Sequence, residues 1–195
     1  HYGFNLSRVS LEDACKVDGL NLSGQNIIEP VGLEYLINIQ MINLSHNKRI
    51  NNYLFLNRLT RLGFLDLDSN NISSPLLLSD LNKDITVISL QDNNISDISF
   101  LTKFTHLRLL FLSNNQITSL KGFENLNELE ELFIDGNPIT LDGLQYIEQL
   151  CYSEVLWKLH IDRKAFGEYG KHFALYPEYL QWIDRIFFYE DDGSV

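Results

Sequence analysis

The chain has 195 residues, 45% of them hydrophobic, with 15 basic and 26 acidic side chains and a formal net charge of −11. This charge disfavours nucleic acid or an anionic lipid surface as a partner, because both would repel the protein. Membrane insertion is not expected, since no apolar run approaches the ~18 residues that a membrane span needs. Cys15 and Cys151 lie far apart and favour a reducing compartment, cytoplasmic or nuclear, or a host cytosol for a delivered bacterial protein.

The first segment, residues 1–17, is predicted to cap the chain that follows. Its sequence Ser10-Leu-Glu-Asp13 has the form of a capping box, which predicts a helix over residues 10–16. Such a helix would cover the open edge of the first strand.

Residues 18–140 contain six copies of the pattern L-x-x-L-x-L-x-x-N-x-I. The asparagine position recurs every 22 or 23 residues and is occupied by Gln25, Asn47, Asn70, Asn93, Asn115 and Asn137. A fixed period with fixed internal spacing is the signature of a solenoid, in which one coil cannot bury its apolar face alone. The sequence therefore predicts six regular coils.

Each copy predicts the same local structure. The alternating L-x-L places its leucines on the inner side of a short strand and the residues between them on the solvent side. The asparagine turns the chain, and its buried amide can bond to backbone groups of its own coil and the next. Between strands the apolar residues recur about every third position, which predicts short 3₁₀ or α turns on the convex side. In "NKRIN" the isoleucine, Ile50, comes one place late and predicts a bulge after Asn47.

Residues 141–195 carry the pattern twice more in degraded form, beginning at Leu156 and Ile183. Atypical terminal repeats are what capping of a solenoid requires, so an irregular C-terminal cap is predicted here. Residues 1–195 are thus expected to form a single α/β solenoid domain with a parallel concave sheet.

The segments "LTKFTHLRLLFLSNNQITSLKGFENL" and "LEELFIDGNPITLDG" resemble leucine-rich repeat proteins, and "YPEYLQWIDRI" resembles the end cap that closes such arrays. The class that they resemble occurs in regulatory subunits of type 1 protein phosphatases, in an axonemal dynein light chain, in spliceosomal and tubulin-folding proteins, and in bacterial internalins and secreted effectors. The resemblance implies a binding scaffold without catalysis and leaves the partner open.

The residues between the inward leucines should line the concave sheet, where solenoids usually bind. Aromatic and acidic side chains occupy these positions in the middle coils, and basic ones enter only in the last two. The predicted partner-binding residues are Phe64, Asp66, Asp68, Leu109, Phe111, Glu131, Phe133, Asp135, His160, Asp162, Arg185, Phe187 and Tyr189. The expected partner is another protein with a basic and apolar surface, bound by a monomer or weak dimer.

Two interpretations of the concave phenylalanines stay open. Exposed aromatic rings rimmed by acids are typical of a binding hot spot, while rings on adjacent strands can also pack on one another and merely shield the sheet. For the whole chain, the alternatives are a regulator of a partner enzyme, a bacterial effector or surface protein that docks a host or cognate protein, and a structural spacer or dimerisation arm.

Catalysis is not expected. The sequence has no Gly-rich phosphate loop, H-E-x-x-H, G-x-S-x-G or paired C-x-x-C. His160 with Asp162 and Asp135 has the residue types of a metal site, but three such groups on a solvated sheet are more often polar surface. We therefore predict no cofactor and no metal.

Overall fold

The computed structural model describes residues 15–74, 80–140 and 155–162, the single positions 12, 78, 143, 146 and 150, and the backbone of residues 185–189. In the stretch 155–162, side chains are described as far as Ile161. These parts of the chain form one parallel sheet of eight strands, whose order in space equals their order in sequence. Each coil therefore stacks on the one before it, as predicted for a solenoid.

The strands are short and fall at the predicted positions. They are β1 (Gly19–Asn21), β2 (Met41–Asn43), β3 (Phe64–Asp66), β4 (Val87–Ser89), β5 (Leu109–Phe111), β6 (Glu131–Phe133), β7 (Lys158–Asp162) and β8 (Arg185–Tyr189). Neighbouring strands pair in parallel without slip, so that Leu20 lies opposite Ile42 and Ile42 opposite Leu65. This register confirms which residues face inward.

The inner side of the sheet is a continuous apolar core. At the paired apolar positions of the third, fourth and fifth coils the side chains have no exposed surface. These residues are Leu65 and Leu67, Ile88 and Leu90, and Leu110 and Leu112. Fully burying one such side chain stabilises the fold by roughly 1.5–3 kcal/mol. Because the described coils repeat these positions, stacking extends one core from Leu22 to Ile161.

An asparagine ladder runs beside the sheet. Asn93 Oδ1 accepts hydrogen bonds from the backbone N–H groups of Asn70 and Ile72, and its amide donates to three carbonyl oxygens, one of them on Leu67 of the preceding coil. Bonds of this kind are also made by Asn47, Asn115 and Asn137, and all of these side chains are buried. The ladder thus satisfies backbone groups that the turns remove from the sheet.

Among the six coils of residues 18–140, the first and the second depart from this arrangement, and both departures were visible in the sequence. Gln25 is exposed and donates to the carbonyl of Ser23 instead of joining the ladder. In the second coil the extra residue is absorbed in a turn, where the N–H of Ile50 donates to the carbonyl of Asn47. The predicted bulge is therefore present, and the pairing of β2 with β3 is undisturbed.

The convex side carries short 3₁₀ helices, as the three-residue spacing predicts. Those that are described in full are Leu33–Tyr35, Leu54–Arg58, Ser99–Lys103 and Phe123–Asn125. Their inward residues, such as Leu56 and Leu101, close the core opposite the sheet. In the described part of the chain, no helix has the length and apolar character needed to cross a membrane.

The two predicted caps fall largely outside the described residues. Of the helix expected over residues 10–16, the structure describes Glu12, Cys15 and Lys16. Lys16 Nζ lies 3.1 Å from Glu12 Oε1. At the other end, the two degraded repeats do supply strands, because β7 pairs with β6 and β8 pairs with β7. The division of the chain into caps and repeats within a single domain stays a prediction.

Candidate functional site

The concave face presents three side-chain positions per coil, which strand pairing aligns into columns. In the third coil these positions are Phe64, Asp66 and Asp68, and we name the columns first, second and third in that order. Phe64 lies opposite Met41 of the preceding strand, so each column runs across the strands.

An apolar band crosses these columns diagonally. Its first half lies in the first column and consists of Met41, Phe64, Val87 and Leu109. Its second half lies in the second column and consists of Phe111, Phe133 and His160. The halves join on β5, which contributes both Leu109 and Phe111. Met41 is 56% exposed, the five residues from Phe64 to Phe133 are half-buried, and only His160 is buried.

The second half of the band is a stack of rings. The centroids of Phe111 and Phe133 are 4.5 Å apart at an interplanar angle of 24°, and those of Phe133 and His160 are 3.9 Å apart at 19°. The phenylalanines lie on the solvent side of the sheet, as predicted, but each covers part of its neighbour. Both sequence-based interpretations therefore describe real geometry: the rings stack on one another, and both phenylalanines remain partly exposed.

Asp66 is held in place by neutral donors. Its carboxylate accepts hydrogen bonds from Asn43 Nδ2 at 2.7 Å and from the backbone N–H of Asp68 at 3.0 Å. Burial raises the pKa of Asp66 and the neighbouring charge of Asp68 adds to that rise, while the Asp68 N–H and His46 act in the opposite direction.

Asp68 and Asp135 are held in the same way. Asp68 accepts from Ser89 Oγ at 2.6 Å and from both the backbone and the side-chain amide of Gln91. Asp135 accepts from Ser113 Oγ at 2.6 Å. Hydroxyl and amide donors fix a carboxylate without cancelling its charge. In the described residues, none of the ion pairs involves Asp66, Asp68 or Asp135.

Glu131 differs from these three because a cation neutralises it. Lys158 Nζ lies 2.9 Å from Glu131 Oε2 and 5.2 Å from the centroid of the Phe133 ring. Beside this pair, burial lowers the pKa of His160; the charge of Lys158 lowers it further, while Asp135 and Glu131 oppose the change. A neutral imidazole is therefore favoured in the stack.

The structure brings most of the predicted site residues onto one surface. The exceptions are Asp162, Arg185, Phe187 and Tyr189, whose side chains lie outside the described residues although their backbone belongs to β7 and β8. His160 contacts Phe133 in the stack. Among the described residues no group of three or more possible metal ligands is gathered together.

Sequence reasoning missed two kinds of residue at this face. Met41 extends the band toward the N-terminus and Val87 joins Phe64 to Leu109, and the signal for both was their place in the same column as Phe64. The supporting donors include Asn43, Ser89 and Ser113. Each stands one coil away from the acid that it contacts, with 21–23 residues separating the partners, so the repeat spacing itself carried that signal.

A second depression lies on the convex side, between the first two 3₁₀ helices. It has a volume of about 440 Å³ and is lined by residues that include Glu29, Val31, Glu34 and Leu54. Val31 and Leu54 are 65% and 54% exposed. This depression is an alternative surface to the concave face.

Comparisons with known proteins agree with the observed architecture. The family model described as Leucine Rich repeats (2 copies) matches residues 105–146. The structure of an internalin (inlF) from Listeria monocytogenes is similar with a TM-score of 0.63 and 25% identity, covering 73% of this chain and 41% of that one. Internalin C2 from the same species gives a TM-score of 0.65 and 26% identity, covering 79% and 75%.

A leucine-rich repeat protein from Leptospira interrogans shares the fold with a TM-score of 0.63 at 22% identity, covering 81% of this chain and 47% of that one. This chain therefore spans less than half the length of two of these three structures. No curated protein sequence gave a significant match. The shared fold is in general that of a protein–protein interaction scaffold, and such modules are generally non-catalytic.

Proposed function

We propose that this chain, which is a leucine-rich repeat protein, binds a partner protein with a basic and apolar surface through its concave face, from about Phe64 to Tyr189. It acts as a scaffold without catalysis. The observation that supports this proposal is the apolar band with three carboxylates beside it, none of which makes an ion pair within the described residues. Large apolar patches on a solvent-facing surface usually mark interaction sites, and fixed charges beside them steer an oppositely charged partner.

Aromatic rings are suited to anchor a partner because they contribute a large contact area at low entropic cost. Phe111 and Phe133 are already oriented by their mutual stacking, so little side-chain freedom remains to be lost on binding. Truncating an anchor of this kind typically weakens binding by ~2 kcal/mol or more.

Affinity capture from a lysate of the source organism tests this proposal. The wild-type chain is compared with a Phe111→Ala/Phe133→Ala variant and with a Tyr35→Ala/Leu54→Ala variant, which removes two exposed convex side chains as a matched control. Mass spectrometry should identify a protein that is retained by the wild type and the control and lost with the concave variant.

Two other results would contradict the proposal. Loss of the captured protein with the convex variant alone would move the site to the depression beside Glu29 and Glu34. Identical captures from all three proteins would favour the structural spacer or dimerisation arm.

The likeness to the two Listeria internalins favours a second version of the proposal, in which the chain belongs to a bacterial protein that docks a host or cognate partner. The same capture separates the versions when it is run in parallel on a bacterial and a host-cell lysate. A partner found only in the organism's own lysate, acting as an enzyme, would favour a regulatory role instead.

A further inference from the structure

Resting on the concave binding face proposed above, we propose that the partner presents an amphipathic α-helix of about 16 residues that lies across the coils along the apolar band, with Lys or Arg on one flank only. The length, the backbone chemistry and the charge of the concave face each support this occupant.

The length of the band matches a short helix. The band runs from Met41 on β2 to His160 on β7, which is five intervals between neighbouring strands. At roughly 4.8 Å per interval it is about 24 Å long, the length of about 16 helical residues at 1.5 Å each. Moving from the first to the second column shifts the band by two residues along a strand, roughly 6.7 Å, which tilts its axis by about 15°.

The spacing along the band favours a helix over an extended segment. One helical turn rises about 5.4 Å, so successive turns meet successive coils, whereas side chains on one face of an extended segment recur every ~6.7 Å. The described strands β2 to β7 bond to each other, so the sheet offers no unpaired strand edge along this path. An extended segment would leave its own N–H and C=O groups without partners there, while a helix satisfies them internally.

The three carboxylates that make no ion pair among the described residues lie on one flank of the band. Asp66 and Asp68 follow the apolar residue of β3, and Asp135 follows Phe133, so all three are on the side toward the strand ends. On the opposite flank, Glu131 is neutralised by Lys158. A partner helix therefore needs basic residues on one side only, and this asymmetry fixes how the helix rotates about its axis.

Synthetic peptides test the inference directly. The probe is a dye-labelled 16-residue peptide of Leu, Lys and Ala that places Leu on one face and Lys on one flank of a helix. One control peptide carries two prolines at its centre, and another has Glu in place of Lys. Fluorescence anisotropy at physiological salt should show binding of the first peptide and at least about tenfold weaker binding of both controls.

Matched variants locate the site of binding. Asp66→Asn/Asp68→Asn should weaken binding of the helical peptide by about tenfold or more, because it removes two charges beside the apolar band while keeping side-chain size. Asp80→Asn/Asp84→Asn removes two exposed charges that lie outside the concave columns and should leave binding unchanged. Thermal melting confirms that each variant is folded.

The inference is overturned if the proline peptide binds as tightly as the helical one, or if both charge variants weaken binding equally. Failure of the helical peptide to bind at about 100 μM also overturns it. If lysate capture still depends on Phe111 and Phe133 in that case, only the helical partner is wrong. If capture is also indifferent to those rings, the proposed binding face itself is wrong.

Discussion

On the inner side of the sheet the described coils repeat nearly the same apolar residues, whereas on the concave side the residue at an equivalent position changes along the array. Leu65, Ile88 and Leu110 occupy equivalent buried positions, yet the second-column residues that follow them are Asp66, Ser89 and Phe111. The inner face must satisfy the same packing problem in every coil, so its composition is uniform. The concave face has no such constraint and can therefore differ from coil to coil to suit a partner.

The sharpest test of this contrast removes a ladder residue. Asn93→Ala leaves several backbone groups buried without partners, and we expect the free energy of unfolding to fall by about 4 kcal/mol. Gln25→Ala, at the equivalent but exposed position, should change it by less than ~0.5 kcal/mol. Urea denaturation followed by circular dichroism measures both. Equal effects would show that the ladder is not a stabilising element.

A neighbouring pair on β6 compares the two faces within one strand. Leu132→Ala creates a cavity in the core and should cost about 2–5 kcal/mol, while Phe133→Ala removes stacking on the solvent side and should cost about 1–2 kcal/mol. Thermal and urea unfolding of both variants provide the measurement. The reverse order would mean that the strand register is shifted by one residue.

The smallest expected effect concerns the end of the ring stack. Because burial lowers the pKa of His160, its neutral form contributes stability that is complete above the ordinary value of 6.5 and is lost as the pH falls through the lower folded-state pKa. His160→Phe should remove this part of the pH dependence, and His106→Gln, which removes an exposed histidine, should retain it. Melting temperatures measured from pH 7.5 to pH 5 in steps test this, and parallel curves for wild type and His160→Phe would contradict it.

Most of the fold was predictable because it depends on periodic residues. The spacing from Asn47 to Asn137 determined the strands, the inward leucines and the ladder, and the shift of Ile50 predicted the turn in the second coil. Periodicity contains less information about the ends. Gln25 showed that the first coil is irregular without showing what replaces the ladder bond.

The concave site was predictable only in part. The columns placed Phe111 and Phe133 on adjacent strands, but the pattern did not show that the rings stack, because stacking depends on side-chain torsions. Nor did it show that Asp68 and Asp135 are fixed by serines of neighbouring coils, since side-chain hydrogen bonds between coils depend on distances that a one-dimensional pattern does not contain.

The turn after Asn47 has a consequence for protein engineering. The extra residue of the second coil is accommodated between two fixed points, the ladder asparagine and the buried Ile50, while the strands before and after keep their alignment. Lys48 and Arg49, which lie between those points, are exposed. Chain length is therefore uncoupled from strand register at this turn, which makes it a permissive position for inserting a peptide tag or a fluorophore attachment site without disturbing the concave face.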